Sequence, residues 1–361
     1  MAVKIEDLDI KGLAKHTPDE VLAEVLDVAE VKYSFRDFYH RWEHQQWQAT
    51  EVDLTKDAAQ WAGLPAPVST TLTEVMSQFY NGEESVTRNL GPLLIAAPRV
   101  EHEIFLSTQI VDEARHLVFF ERYFNEVVGM DGDAETHIAS FKPKYSRWYS
   151  TLFFDERLGL DGRADGLRQN PGDIGLYAET VALYHLILEA GLALLGQRFL
   201  LDMCRGLDVL PGFYIGFMAV TRDESRHVNY GVYALRKAFE AGLHDHIVES
   251  AREYMDGPCD LLTRPIDKIV LPPDEMMALV PEELRQGNFF EEWDFPLVQL
   301  RKRLGGAGIR SESIDELDQF WWNRVAANVE GYEERFGEPH PAIERDPDGY
   351  TRLRERVAVH S

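Results

Sequence analysis

The sequence predicts an all-α fold, and three observations carry that expectation. Strand signals are weak along all 361 residues. Long stretches show apolar residues recurring every three to four positions, the pattern of helices with a buried face. Two of those stretches carry the same charged insert, "VDEARHLVFF" at 111–120 and "TRDESRHVNYG" at 221–231. A charged motif repeated inside apolar helices suggests a bundle with a polar centre.

Each element follows in order. Residues 1–50 read as mixed helix and loop around the aromatic stretch "YSFRDFYHRWEHQQW". In "ATEVDLTKDAAQW", Thr55 or Asp57 is expected to cap a helix start. A helical pattern runs from about 67 to 128, with Pro92 as a kink and the region of Pro98 as a helix–helix turn. Residues 129–135 are expected to be loop and 136–155 helix. "GRADGLRQNPGD" reads as loop. Helices are expected at 174–203, 213–241 and about 243–255, with "RGLDVLPG" breaking the first from the second. "LPPDE" and "NFFEEWDF" resist assignment, and a further helix is expected at 313–336. The expectation is one helical domain over 1–361. Its catalytic bundle lies at about 65–245, after an N-terminal lead-in at 1–64 and before a C-terminal extension at 246–361.

Composition narrows the function classes. A formal net charge of −25 disfavours nucleic acid and anionic membrane surfaces, both of which select clustered Lys and Arg. Cys204 and Cys259 form neither a ligand-spaced pair nor a disulfide framework, which fits a reducing cytoplasm. "MAVKIEDLDIKG" shows no apolar signal core. No uninterrupted apolar run approaches the roughly 20 residues of a spanning helix.

The repeated motif has a specific geometry. On a helix, positions i and i+3 share a face, about 5–6 Å apart, so Glu113 points with His116 and Glu224 with His227. One such pair usually faces solvent. Two pairs in apolar helices imply buried carboxylates, which need partners, protons or metal. Bundle sites for two metals add one Glu from each of two further helices. Glu83 and Glu113 lie equal distances either side of Pro98, each about 22 Å along its helix from the turn. Glu189 and Glu224 flank "RGLDVLPG" in the same way. The candidate ligands are therefore Glu83, Glu113, His116, Glu189, Glu224 and His227. Glu84 competes with Glu83, and Glu179 competes less well with Glu189 because it breaks the symmetry. Asp112 and Asp223 are candidates to hold the two histidines. Arg115 and Arg226 are expected to pair with acids. His185 falls outside the metal-facing register, and His40 and His44 lack a carboxylate partner at matching spacing. Four carboxylates and two imidazoles suit iron or manganese and favour O2 activation.

Over roughly 40–240 the sequence resembles the ribonucleotide reductase small-subunit superfamily, and within it the small-subunit-like ligand-binding oxidases. "WQATEVDLTKDAAQW", "YNGEESVT", "DEARH", "DESRH" and above all "YHLILEAGLALLGQRF" carry the resemblance. It implies a ferritin-like four-helix-bundle core with additional helices. It also implies two metal ions per chain, Mn/Fe or Fe/Fe, on the six residues above. Tyr184 and Val86 match the residues that form a Tyr–Val ether cross-link in those oxidases. Trp47, Asp223 and His116 match the small subunit's hydrogen-bonded route to the metal. Phe120 stands where many reductase small subunits carry a radical tyrosine. The implied partners are O2, a long-chain fatty-acid-like or other small apolar ligand, and an electron donor, in a homodimer. Two alternatives remain open: a class I reductase small subunit with Phe at the radical position, and a di-iron monooxygenase or N-oxygenase of a biosynthetic pathway. The 83-to-113 interval and the D-E-x-R-H motif lean towards the monooxygenases, and the region after about 255 does not clearly match the oxidases.

Overall fold

A computed structural model describes residues 10–13, 15–18, 20–21, 33–157, 159–265, 267–269 and 289–358. Among them there are helices and no strands. "LPPDE" lies outside the described residues.

Four long helices form the core. The first bundle helix, Ala66–Ile95, and the second, Val100–Tyr123, pack as an antiparallel hairpin. Residues 96–99 make the turn, as the proline there requires. The first helix continues through Pro92, which lies close enough to its end that only the last turn loses a donor. The third bundle helix spans Ile174–Gly206 and the fourth Pro211–Glu240. They form a second hairpin that packs back on the first. Between the hairpins, short helices at Ala134–Phe141, Arg147–Phe154 and Leu160–Gln169 cover one flank.

Two local expectations are corrected. Residues 160–169 are helix, although "GRADGLRQNPGD" read as loop. Leu160, Ala164 and Leu167 recur at helical spacing and are buried, the helix packs on the first bundle helix, and that packing outweighs the poor propensity of Gly162 and Gly166. Neither Thr55 nor Asp57 caps the helix Thr55–Trp61. Asp57 instead accepts from the backbone N–H groups of Gly212 and Phe213, at 2.8 and 2.7 Å. It therefore caps the fourth bundle helix, where Pro211 sits in the first turn. The bundle helix Ile174–Gly206 is long and apolar enough to span a membrane by length and composition, although Glu179 and Glu189 interrupt its apolar run, and 83% of its apolar window is buried. It is the bundle's central helix.

That third helix is not uniform. Residues Ala182–Ala193 form a π-helical segment, with i→i+5 hydrogen bonding. In an α-helix, residues five apart point about 140° away from each other. The π segment realigns Tyr184 with Glu189. Helices His244–Thr263 and Phe289–Ala307 pack against this segment, and Ser311–Phe336 packs on His244–Thr263.

Candidate metal centre

Each bundle helix delivers part of one buried cluster. Glu83 comes from the first helix, Glu113 and His116 from the second, Glu189 from the π segment, and Glu224 and His227 from the fourth. All six are at most 5% exposed. His116 Nδ1 lies 3.3 Å from Glu83 Oε2, 3.3 Å from Glu113 Oε2 and 3.6 Å from Glu224 Oε1. His227 Nδ1 lies 3.2 Å from Glu113 Oε1, 3.5 Å from Glu189 Oε1 and 3.2 Å from Glu224 Oε2. These contacts define two half-sites. Glu83 serves only the first and Glu189 only the second. Glu113 and Glu224 turn one oxygen to each, the arrangement of bridging carboxylates. Glu84 faces away and pairs with Arg88 at 3.2 Å. Glu179 pairs with Arg163 and His246, each at 2.7 Å, outside the cluster.

The donor set fits two cations. His116 Nδ1 and Glu189 Oε2 are buried inside the cluster without a hydrogen-bond partner. Ligand atoms of Glu83, Glu113, His116 and Glu224 all lie within 4.8 Å of one another, as do those of Glu113, Glu189 and His227. Without cations, the cluster must hold protons. Burial, only partly offset by His116, pushes Glu83 up to about 8. Burial with the Glu113 charge also raises Glu224, and burial raises Glu189. Burial opposes ionisation of Glu113 too, but His227 and His116 outweigh it and hold this carboxyl well below the usual range. Both imidazoles are raised: burial opposes their charge, and the surrounding carboxylates overcome it. Metal ions would replace these protons.

Behind the cluster the two motifs cross over. Asp223, on the fourth helix, meets His116 Nε2 on the second at 3.3 Å. Asp112, on the second, meets His227 Nε2 on the fourth at 3.3 Å. Each aspartate thereby accepts from Nε2 and turns Nδ1 towards the cluster, where metal could replace its proton. Arg115 reaches both aspartates, at 3.1 Å each, and Arg226 reaches Asp112 at 2.7 Å and Asp223 at 3.0 Å. Burial raises Asp223, but Arg226, His116 and Arg115 together drive it well below its ordinary value. Trp47 Nε1 donates to Asp223 Oδ2 at 2.7 Å, so Trp47, Asp223 and His116 form one continuous chain. Phe120 sits in an aromatic cluster, its ring 5.8 Å from Phe217 and 6.0 Å from Tyr80.

On the open side of the cluster Tyr184 donates to Glu113 Oε1 at 2.6 Å. Burial beside Glu113 and Glu189 keeps its hydroxyl protonated. Val86 and Tyr184 line one cavity of about 590 Å³ that also reaches Glu83, Glu113, Glu189 and Glu224. Its outer wall includes Leu261, Trp293 and Ala342, so the C-terminal extension shapes it. A larger surface hollow of about 920 Å³, lined by Ser69, Thr73 and Arg147, touches none of the six ligand candidates.

Two residues that sequence reasoning missed belong to this site. Gln109 Nε2 lies 2.9 Å from Tyr184 Oη, 3.2 Å from Glu113 Oε1 and 3.1 Å from Glu189 Oε1. Its Oε1 accepts from His185 Nε2 at 3.1 Å. Burial lowers His185 to about 3, so it is a neutral donor that orients Gln109. The signal for Gln109 was its place one turn before Glu113. The second missed residue is Trp42, whose Nε1 donates to Asp112 Oδ1 at 3.0 Å.

The family model for the ribonucleotide reductase small chain matches residues 29–260, well over half the chain. Among solved structures, the chain is similar to the R2-like ligand-binding oxidase from Sulfolobus acidocaldarius. The TM-score is 0.61 at 23% identity, covering 79% of this chain and 96% of that one. A valine-to-leucine variant of an R2-like ligand-binding oxidase, with an aerobically reconstituted Mn/Fe cofactor, gives a TM-score of 0.55 at 18% identity, covering 84% and 94%. At these identities the likeness speaks for the fold, a ferritin-like bundle with added helices. The paired Glu-x-x-His helices, the crossed aspartates behind them and the match over residues 29–260 together identify the chain as a member of the ribonucleotide reductase small-chain family.

Proposed function

We propose that the protein is an O2-activating oxidase with two metal ions, Mn/Fe or Fe/Fe, held by Glu83, Glu113, His116, Glu189, Glu224 and His227. The observation that carries this reading is the pair of half-sites bridged by Glu113 and Glu224 and opening on an apolar-walled cavity. When bound, the metals supply O2 reduction and a two-electron oxidising capacity at the cavity wall. The protein's own groups do the rest. Asp112 and Asp223 keep both Nδ1 atoms directed inward. The bundle buries the carboxylates to at most 5% exposure, and Gln109 fixes Tyr184 against Glu113.

The oxidation falls on Tyr184 and Val86, on a bound ligand, or on both. In the first case, a bond forms between Tyr184 Oη and a side-chain carbon of Val86. The O–H and one C–H bond break, and two electrons leave with the reduced O2. Glu113 Oε1 is the nearest acceptor for the phenolic proton. The cavity suits a long-chain, fatty-acid-like or other small apolar ligand. Intact-mass and peptide analysis after iron or manganese reconstitution in air tests this reading. The expected product has lost the mass of two hydrogen atoms and joins the Val86 and Tyr184 peptides. An unchanged mass overturns the cross-link, and fewer than one metal bound per chain overturns the site.

One observation favours a second reading, a reductase small subunit: the chain from Trp47 through Asp223 to His116. Stable association with a catalytic subunit and support of nucleotide reduction would establish it. A requirement for a reductase with no internal cross-link would favour a monooxygenase.

A further inference from the structure

The two Asp–His pairs behind the cluster each accept a tryptophan. Trp47 joins Asp223 and His116, while Trp42 joins Asp112 and His227. Both indoles come from one segment, the end of the helix Phe35–His44 and the residues just after it. Arg222 and Arg226 pin this segment by bonding Gln45. The arms differ in their outer ends. Trp47 is 6% exposed, faces His116 at 6.3 Å and packs edge-on to Phe119 at 6.1 Å. Trp42 is half-buried, and its ring lies 5.9 Å from Tyr39, which is 37% exposed. Among the described residues, the Trp42 arm therefore runs from an exposed aromatic ring, Tyr39, through Trp42 and Asp112 to the candidate ligand His227. Asp112 Oδ1 also receives Arg115, and Oδ2 receives Arg226 and His227. The tryptophan is thus not needed to satisfy this carboxylate.

We infer that Trp42 is the electron-uptake residue of the protein, passing single electrons from an external one-electron donor through Asp112 and His227 to the oxidised metal pair. This deepens the proposed function and rests on it. With the metals bound and oxidised, the indole of Trp42 would give up one electron to them in each step. The Nε1 proton stays within the hydrogen bond to Asp112 Oδ1 and returns to the nitrogen when the donor, losing one electron, refills the indole. No atom is gained or lost. The buried ligands, at most 5% exposed, cannot be touched by a large donor directly.

The test uses the full-length protein, metal-loaded and oxidised in air, with dextran-linked reduced methyl viologen as donor. This probe is cationic, matching the acidic chain, and too large to enter the cavity. The decay of the metal-site absorption or EPR signal gives the reduction rate, and metal content and thermal midpoint are measured on the same samples. Trp42→Phe is expected to bind two metals and melt like wild type, yet be reduced an order of magnitude more slowly. Trp42→Tyr, which keeps an oxidisable ring, restores part of the rate. Trp42→His, which keeps an N–H donor on a ring that resists oxidation, does not. A wild-type rate in Trp42→Phe overturns the inference, as does equal rescue by His and Tyr, which would leave Trp42 only a hydrogen-bonding role. Failure of the wild-type protein to load metal removes the acceptor and sinks the proposed function as well. Normal loading with an unaltered rate sinks the relay alone.

Discussion

Without metal, Glu83 should make the protein lose stability as pH rises. Its carboxyl is pushed up to about 8, against 4.5 for an ordinary glutamate, with burial as the leading cause. A raised folded-state value means the folded protein holds a proton that the unfolded chain has released. The resulting stability is complete below the unfolded value and is lost as pH rises through about 8. At pH 6 the folded protein sits about two units below that value. At about 1.4 kcal/mol per unit, moving from pH 6 to pH 9 removes about 3 kcal/mol from this group alone. His116, also raised, contributes in the same direction. Glu83→Gln keeps the shape and cannot titrate, so its metal-free form should show a flatter profile while losing metal affinity. The assay is urea denaturation of chelator-treated wild type and Glu83→Gln, followed by circular dichroism across this pH range. Parallel profiles for the two proteins would refute the reasoning. So would an equal loss in metal-loaded wild type, where cations keep the carboxylate ionised throughout.

Three further outcomes follow from packing and charge. Gly231→Ala places a Cβ 2.4 Å from His185 Cβ, so overpacking should cost about 1–3 kcal/mol in denaturant titrations. An unchanged midpoint would show that His185 and its hold on Gln109 can shift freely. Asp57→Ala removes the cap of the fourth bundle helix and should cost about 1–2 kcal/mol in the same assay; no loss would mean other groups satisfy Gly212 and Phe213. Glu84→Gln should leave metal content at the wild-type level by elemental analysis, because Glu84 pairs with Arg88 outside the cluster. A drop in content would move the first ligand from Glu83 to Glu84.

The six clustered residues were legible as a group because the D-E-x-R-H motif and the hairpin midpoints are long-period features, and small boundary errors do not disturb them. The choice of Glu83 over Glu84 depends on which helix face turns inward; Glu83 lies in the cluster beside His116, and Glu84 pairs with Arg88. The π segment was not legible, because i→i+5 bonding leaves no simple composition signal. For that reason the alignment of Tyr184 with Glu189, and the support that His185 gives Gln109, emerged only in three dimensions. Trp42 was hidden for a related reason. Its partner lies 70 residues away, and no local pattern distinguishes it from an anchoring tryptophan. The helix Leu160–Gln169 was lost to its glycines, whose poor propensity is overridden by packing. The capping role of Asp57 spans more than 150 residues and is set by how the fourth helix docks on the lead-in.

Anomalous diffraction from metal-reconstituted crystals, recorded above and below the manganese and iron absorption edges, tests the central claim most directly. Two peaks are expected, one among Glu83, Glu113, His116 and Glu224, the other among Glu113, Glu189, Glu224 and His227, with Glu113 and Glu224 contacting both. A single peak, none, or metal seated away from these six residues would contradict that claim.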